Sequence, residues 1–208
     1  MIAAAWPFVL SLAGLAALLY AQHHPALGAV PALAALALGL FFRDPERRIP
    51  TGEGLVVSPA DGRVVDVAAD ADAAPGRIAI FLSLFNVHVN RSPVAGQVRS
   101  VTYRSGSFRP AYEGVASKVN ERNDLDLDGP GGRFGVSQIA GIVARRIRCF
   151  KKPGDPVARG ERIGYIAFGS RTELTLPPGA RILVSVGQKV RGGESVVARM
   201  PPGAGGGA

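Results

Sequence analysis

The sequence predicts a mainly β domain behind an apolar helical arm, and three features of the chain lead to this prediction. None of the first 42 residues is Asp, Glu, Lys or Arg. Beyond them, short runs rich in Val and Ile alternate with Gly, Pro and Asp, as in all-β sandwiches and barrels. A ten-residue pattern also occurs twice, 33 residues apart. The 208 residues therefore divide into an arm (1–42), a β domain (43–200) and a tail (201–208).

The arm consists of two apolar stretches, Ile2–Ala21 and Ala26–Phe42, separated by Gln22–Pro25. A helix needs ~20 residues to cross the hydrocarbon core of a bilayer, and about 17 is the lower limit. We therefore predict a membrane anchor built as a helical hairpin that turns at Gln22–Pro25. The alternatives are one span followed by a buried or interfacial segment, and a hydrophobic helical hairpin of a soluble protein. A secretory signal peptide is not predicted, because the chain lacks a basic start.

The charges beyond the arm are mainly basic, and the formal net charge is +8. Arginines directly after the second apolar stretch place the body on the cytoplasmic side of the cell (inner) membrane. A second basic run has five cations in eight positions. We expect both groups to face anionic head groups, at about 1 kcal/mol per residue; a solvated strand face is the alternative, and no nucleic-acid module is recognisable. The two groups are Arg43, Arg47 and Arg48, and Arg145, Arg146, Arg148, Lys151 and Lys152.

Short strands are predicted throughout the body, with three segments treated differently. Asp124–Gly132 is acidic and rich in glycine, which predicts an exposed loop. Ala116–Arg122 fits either a turn of helix or a strand. Pro201–Ala208 consists of Gly, Pro and Ala, which predicts a disordered tail. The predicted strands are Leu55–Ser58, Arg63–Val67, Ile78–Ser83, Val87–Asn90, Gln97–Tyr103, Val136–Ile142, Arg162–Ala167 and Arg181–Ser185.

The repeated pattern is G-x-x-V-x-x-G-E-x-[IV], at Gly154–Ile163 and again at Gly187–Val196. Each copy supplies a turn, an inward Val, a second turn and the entry into a strand. This resembles the units of biotinyl/lipoyl-type β-sandwiches (barrel-sandwich hybrids), in which quasi-symmetric halves pack face to face. The alternative is a chance likeness between two Gly-rich hairpins.

Three positions carry chemistry by residue type. His88 lies in an apolar strand, where a hydrogen-bonded core residue is the alternative to a catalytic base. Asp61 stands in an Asp-Gly turn between two β runs. The Gly169-Ser170 pair ends an apolar run and fits either a plain turn or a strained junction at which the hydroxyl attacks the preceding carbonyl. With one His in the body and no Cys cluster, no metal site is predicted, and the single Cys149 excludes an intramolecular disulfide.

Taken in order, these segments resemble the phosphatidylserine decarboxylase family, in its short, pyruvoyl-dependent form. Each segment alone is weakly specific, whereas the ordered set, with Gly-Ser near the C-terminus, is specific. The likeness covers most of Arg43–Arg199, and the apolar arm also fits. The matching segments are Ser58–Gly62, Phe85–Pro93, Asn120–Arg122 and Gly160–Gly164, leading into Phe168–Ser170.

The resemblance implies a proenzyme that cuts itself between Gly169 and Ser170. The Ser170 hydroxyl would attack the Gly169 carbonyl to form an ester, and elimination would release a β chain ending at Gly169. The remaining dehydroalanine would hydrolyse to a pyruvoyl group at the start of the α chain, Ser170–Ala208. By resemblance His88 is the base, oriented by Asp61, and the working protein is a homodimer.

The resemblance also implies the reaction and its covalent cofactor. The pyruvoyl group derived from Ser170 would form a Schiff base with the amine of phosphatidylserine and accept the electrons left by departing CO2. His88 would reprotonate the carbon to give phosphatidylethanolamine. No metal or diffusible cofactor is implied.

Two departures from the family pattern and two alternative functions accompany this reading. Arg91 replaces a second His of the long forms, and Arg171 stands where they often have Thr. The substrate alternative is another serine phospholipid, of the archaetidylserine type. The non-enzymatic alternative is a biotinyl/lipoyl-like module on a membrane anchor, but none of the lysines has the sequence context of a modification site. These lysines are Lys118, Lys151, Lys152 and Lys189.

Overall fold

A computed structural model describes residues 5–68, 75–110, 119–141, 147–167 and 170–201. The chain divides into two compact units, Met1–Glu46 and Arg47–Ala208. The first unit is helical and the second, referred to below as the body, is built of strands. Gly169 of the expected cleavage site lies outside the described residues, as do Arg145, Arg146, the first three residues of Ala116–Arg122 and most of the tail.

The first unit is a pair of helices, α1 (Trp6–Ala21) and α2 (Pro25–Phe41). They break at the predicted cluster, where His23 has a φ of 62° and the His24 N–H donates to the Leu19 carbonyl at 2.9 Å. Alanine and leucine favour helix on both sides of this turn, and α2 begins with a proline, whose missing N–H costs nothing in a first turn. At Gly28 the helices approach closely, because a Cβ there would lie 3.1 Å from the Ala16 carbonyl oxygen.

The two membrane spans predicted for the arm are not confirmed. Its helices have 16 and 17 residues, because the turn and the ends take residues from each apolar stretch. Within the described ranges, no helix is long and apolar enough to cross a membrane. Both helices nevertheless leave large apolar side chains exposed, namely Trp6, Phe8, Leu10, Leu15, Leu18, Tyr20, Leu27, Val30, Leu33, Leu36 and Leu40.

The body confirms the mainly β prediction. Its described residues form three antiparallel sheets with the strand orders β1-β14-β12, β4-β10-β8 and β13-β2-β3-β11-β7-β6-β5-β9. The strands are β1 (Leu55–Val57), β2 (Gly62–Ala68), β3 (Arg77–Leu82), β4 (Val89–Arg91), β5 (Gly96–Arg104), β6 (Arg122–Gly129), β7 (Gly132–Ala140), β8 (Ile147–Cys149), β9 (Pro156–Val157), β10 (Arg162–Ile166), β11 (Ser170–Thr175), β12 (Arg181–Ile182), β13 (Lys189–Val190) and β14 (Val196–Arg199).

One face of the large sheet supplies the hydrophobic core. Alternate residues along its strands are completely buried, including Ile78 and Ile80 on β3 and Leu125 and Leu127 on β6. Side chains of a strand point alternately to opposite faces, so the residues between them occupy the other face. That second face carries charged and polar side chains of β2, β3, β6 and β11.

The loop predicted at Asp124–Gly132 is wrong. The structure places Asp124–Asp128 on β6, and a tight turn at Gly129–Gly132 leads into β7. The reason is the alternation of Leu125 and Leu127 with aspartates, which buries the leucines and leaves the carboxylates on the second face. The alternation of leucine and aspartate with a period of two therefore determines a strand here, despite the acidic composition that suggests a loop.

The predicted repeat is a repeat in the structure as well. Gly154 and Gly187 both have a φ of 91°, and Gly160 and Gly193 have φ values of 77° and 80°. These positive values favour glycine, which lacks a Cβ. The two copies also donate equivalent hydrogen bonds, both 2.8 Å long, from Gly154 and Gly187 to carbonyls of β5 and β2.

A second repeat, not recognised in the sequence analysis, pairs with the first. Its pattern is S-P-x-x-G-x-V, at Ser58–Val64 and Ser92–Val98. Both serine hydroxyls donate to the carbonyl two residues on at 2.7 Å, and both serine carbonyls accept an N–H at 2.8 Å, from Gly193 and Gly160. The body thus contains two copies of one unit, β1-β2-β13-β14 and β4-β5-β9-β10. Its likeness to biotinyl/lipoyl-type sandwiches stays a prediction.

Candidate active site

Ser170 is the first residue of β11, which is the fourth strand in the order of the eight-stranded sheet. It pairs with Leu82 of β3 on one side and with Ala140 of β7 on the other. The residue is completely buried, and its hydroxyl oxygen has no hydrogen-bond partner among the described residues. A buried hydroxyl without a partner costs about 1–3 kcal/mol, so it calls for an explanation outside packing.

His88 lies in the connection between β3 and β4 and is also buried. Its Nδ1 is 2.9 Å from the Asn86 carbonyl oxygen. A carbonyl oxygen only accepts hydrogen bonds, so Nδ1 carries the proton and Nε2 carries the lone pair of the neutral ring. The backbone carbonyl of His88 accepts the Ile166 N–H at 3.2 Å, which ties the residue to the strand that ends just before Ser170.

Asp61 follows β1 in the first copy of the S-P-x-x-G-x-V unit. Its Oδ1 accepts the Gly192 N–H at 2.7 Å, and its Oδ2 accepts a hydrogen bond from Arg47 at 3.0 Å. Both side chains of the Arg47–Asp61 pair are largely buried. Neither of these bonds is to His88, and the orienting role of Asp61 stays a prediction. Ala95 stands at its place in the second copy, so Asp61 breaks the internal symmetry.

Strand register gathers the neighbours of Ser170 at one end of the large sheet. Strands β3 and β7 finish there, at Leu82 and Ala140, where β11 begins. We call this the Ser170 end. The connection that contains His88 leaves the sheet at this point, and so does the segment that follows β5, because the last residue of β5 pairs with the first residue of β6.

A chain of buried side-chain hydrogen bonds runs from β11 to β6 on the core face. Asn90 donates to the Thr172 hydroxyl at 3.0 Å, Gln138 donates to Asn90 at 2.9 Å, and Asn123 donates to Gln138 at 3.0 Å. Thr172 shares the face of Ser170, two residues away on one strand. The network therefore fixes the strands on which Ser170 rests, and it was missed because its members are far apart in sequence.

The opposite face of β11 carries an ion-pair cluster. Arg171 is 2% exposed, and its Nε donates to Glu173 Oε1 at 2.8 Å. Arg77 of β3 donates to Asp66 of β2 at 2.6 Å and lies 3.4 Å from the same Glu173 oxygen. Arg171, where long forms often have Thr, is thus compensated by a carboxylate of its own strand.

The described basic residues are not all available to head groups. Arg47 is bound by Asp61, and Lys151 forms an ion pair with Glu161. Burial acts to raise the pKa of Glu161, but hydrogen bonds from Lys151 and the Ala158 N–H outweigh it and leave that pKa lowered. Two other cations of the run, Arg148 and Lys152, have no such pair among the ion pairs of the described residues.

Comparison with known proteins identifies the family of this chain. A family model described as "Phosphatidylserine decarboxylase" matches residues 35–198. A "Phosphatidylserine decarboxylase proenzyme" of Symbiobacterium thermophilum is 48% identical over 202 residues, 94% of each chain. Proteins of the same name from Nitratidesulfovibrio vulgaris and Azorhizobium caulinodans are 51% and 46% identical, over 78% and 79% of this chain and 77% and 74% of theirs. The chain belongs to the phosphatidylserine decarboxylase family.

Proposed function

We propose that the protein is a self-processing carboxy-lyase that converts phosphatidylserine to phosphatidylethanolamine and CO2. The observation that carries this proposal is the Ser170 hydroxyl, completely buried and without a hydrogen-bond partner among the described residues. In a chain of this family, such a hydroxyl is a nucleophile kept out of water. The proenzyme names of the relatives support the processing step.

The processing reaction requires neither an oxidant nor a metal. Ser170 Oγ attacks the Gly169 carbonyl, the C–N bond breaks as the ester forms, and the hydroxyl proton passes to the Ser170 nitrogen. Loss of the Ser170 Cα proton then breaks the Oγ–Cβ bond, and Gly169 leaves as a carboxylate. Addition of water and loss of ammonia convert the remaining dehydroalanine to the pyruvoyl group.

His88 is the residue that moves protons in this account. A serine hydroxyl needs a base to become a nucleophile, and the Asn86 carbonyl favours the tautomer whose lone pair is on Nε2. The resemblance to the family assigns Asp61, held by Arg47 and Gly192, to orienting the imidazole. We assign His88 as general base in processing and as the acid that reprotonates the product carbon.

The pyruvoyl group fits the surroundings of Ser170. Its precursor is a hydroxyl that makes no hydrogen bond to the described residues, so its removal leaves none of them without a partner. The group supplies an electrophilic carbonyl for the substrate amine and an electron sink for the bond to CO2. The β3 and β7 strands hold the backbone of Ser170 from both sides.

The proposal places the enzyme at the cytoplasmic face of the cell membrane as a homodimer. The exposed leucines and aromatic residues of α1 and α2 support membrane association of the hairpin. The arginines after α2 support the cytoplasmic side.

Ser170→Ala tests the function. The purified wild-type protein should form phosphatidylethanolamine from phosphatidylserine, whereas Ser170→Ala should remain a single chain with no turnover. Ser105→Ala, which changes an exposed serine, is the matched control and should behave as wild type. Turnover by Ser170→Ala contradicts the proposal. If the wild-type protein processes itself but does not turn over phosphatidylserine, the substrate assignment is contradicted and the other serine phospholipids are assayed.

A further inference from the structure

Exposed apolar side chains of the body are concentrated at the Ser170 end. Among the described residues after Glu46, eight large apolar residues are exposed. Three of them follow strands of the two smaller sheets, Phe150 after β8 and Leu183 and Val186 after β12. The other five lie at or next to the strand ends and connections of the Ser170 end, and they are Leu84, Phe85, Tyr103, Phe108 and Val119.

Strand register brings these five residues to the same end of the sheet. Leu84 and Phe85 follow the last residue of β3, which pairs with Ser170. Arg104 ends β5 opposite Arg122, the first residue of β6, so the residues just after β5 and just before β6 leave the sheet there too. Strands β11 and β7 lie between β3 and β6, and neighbouring strands are about 4.8 Å apart, so the two groups of residues lie about 15 Å apart at the same end of the sheet.

The opposite end of the same sheet is different in character. Its described turns are formed by residues 92–95, 129–132 and 176–180, which are mainly Gly, Pro and small residues. None of these described turns contains an exposed large apolar side chain. An exposed aspartate, Asp128, stands at this far end. The apolar surface is therefore a property of one end and not of strand turns in general.

Cations accompany the apolar residues at the Ser170 end. The Arg104 side chain is 65% exposed and lies 3.8 Å from its nearest carboxylate, that of Asp124. Arg109, which follows β5, is exposed as well. Apolar side chains surrounded by arginines fit a bilayer with anionic head groups, because the former enter the interface and the latter pair with phosphates.

The connection after β3 is built to present its apolar pair outward. The Asn86 side-chain oxygen accepts hydrogen bonds from the Ser83 N–H at 2.9 Å and from the Ser83 hydroxyl at 2.8 Å. This closes a tight turn whose tip consists of Leu84 and Phe85, 51% and 86% exposed. His88 follows only three residues later, so the tip and the catalytic imidazole belong to one short connection.

We propose that the Ser170 end docks on an anionic lipid bilayer, with Leu84 and Phe85 inserted among the lipids. The inference rests on the proposed function, since a bilayer lipid must deliver its head group to Ser170. Docking by this end places the head group beside the reacting residue without removing the lipid from the membrane. The arm then provides a second, separate attachment to the membrane.

A tryptophan placed at the tip reports insertion directly. The chain contains one tryptophan, Trp6, so Phe85→Trp is made in a Trp6→Phe background. With vesicles of phosphatidylglycerol and phosphatidylcholine, its emission should shift to the blue and be quenched by brominated acyl chains. Pro130→Trp in the same background, at the far end of the sheet, should be unaffected. Equal quenching of both probes, or of neither, overturns the proposal.

A second experiment separates docking from chemistry. Leu84→Ser/Phe85→Ser should process normally and turn over dispersed short-chain phosphatidylserine normally, but should lose about tenfold or more in turnover of vesicle-embedded substrate. Leu183→Ser/Val186→Ser removes two exposed apolar residues elsewhere and is the matched control. If the two double variants turn over vesicle-embedded substrate equally well, docking by Leu84 and Phe85 is contradicted. If the wild-type protein does not turn over dispersed phosphatidylserine, the proposed function is contradicted instead.

A second copy of the chain is the other occupant to be tested. If the Ser170 end were a dimer interface, Phe85→Trp emission would already be shifted to the blue without vesicles, and the shift would disappear on dilution. That result overturns the bilayer proposal. A vesicle-dependent shift at all protein concentrations supports it.

Discussion

At the scale of single residues, the Asn86 carbonyl determines what His88 can do. By accepting the Nδ1 proton at 2.9 Å, it leaves the ring basic at Nε2. The side chain of the same residue closes the tight turn before His88, because its oxygen accepts two hydrogen bonds from Ser83. Residue 86 therefore sets both the tautomer of the imidazole and the path of the chain that carries it.

His88→Ala should slow self-processing, decarboxylation, or both. General acid–base catalysis contributes about 10²–10⁴-fold, and a loss of that size is expected in the affected step. The two steps are separated by following chain cleavage over time and then measuring turnover per cleaved molecule. Normal values in both measurements would remove His88 from the mechanism.

Arg171 makes a second residue-scale prediction, because it is buried beside Glu173. Removing one member of a buried ion pair costs about 3–5 kcal/mol, whereas replacing both by apolar residues costs far less. Arg171→Met should therefore lower the free energy of unfolding strongly, and Arg171→Met/Glu173→Leu should recover much of the loss. Urea unfolding in a Ser170→Ala background, which keeps one chain, measures both. Equal losses in the single and double variants would count against the pair.

At the scale of elements, the two repeated units make a prediction about backbone strain. Gly154 and Gly187 have the same φ of 91°, and a Cβ at either position would meet nothing within 4 Å. Gly154→Ala and Gly187→Ala should therefore cost similar amounts, about 1–2 kcal/mol each, from backbone conformation alone. Gly62→Ala is the comparison and should cost more, because its Cβ would collide with the Phe81 carbonyl. Urea unfolding measures all three, and clearly unequal costs at the two repeat positions would contradict structural equivalence.

The elements also show which strands the sequence could predict. Apolar runs such as Ile78–Leu82 predict strands correctly because burial there requires apolar residues. Strand β11 was missed because the second face of the sheet holds Arg171 and Glu173 in pairs, which sequence alone does not reveal. Strand β6 was missed because three aspartates suggested a loop, although Leu125 and Leu127 kept the period of a strand.

At the scale of the whole molecule, the expected cleavage falls between elements that remain bound. Strand β11 begins at Ser170 and lies between β3 and β7, while β13 and β14 pair with β2 and β1. Cutting before Ser170 breaks one covalent bond and no strand pairing of these elements. The two products should therefore stay together until the protein is denatured.

The candidate site also combines features that the sequence predicts with features that only the structure shows. Ser170, His88 and Asp61 are selected as candidates by ordered motifs, since chemistry restricts which residue types can serve, and their roles stay predictions. The hydrogen bonds of Asn90 and Thr172, and the exposed tip at Phe85, depend on strand register between distant segments. Register is fixed by packing of the complete sheet, and a single sequence does not contain it in readable form.

Intact-mass analysis of active, purified protein tests the central claim most directly. Under denaturing conditions the account predicts two chains of 169 and 39 residues, the smaller one beginning with a pyruvoyl group, and under native conditions it predicts that both travel together. A single chain of 21.6 kDa in fully active material would contradict it.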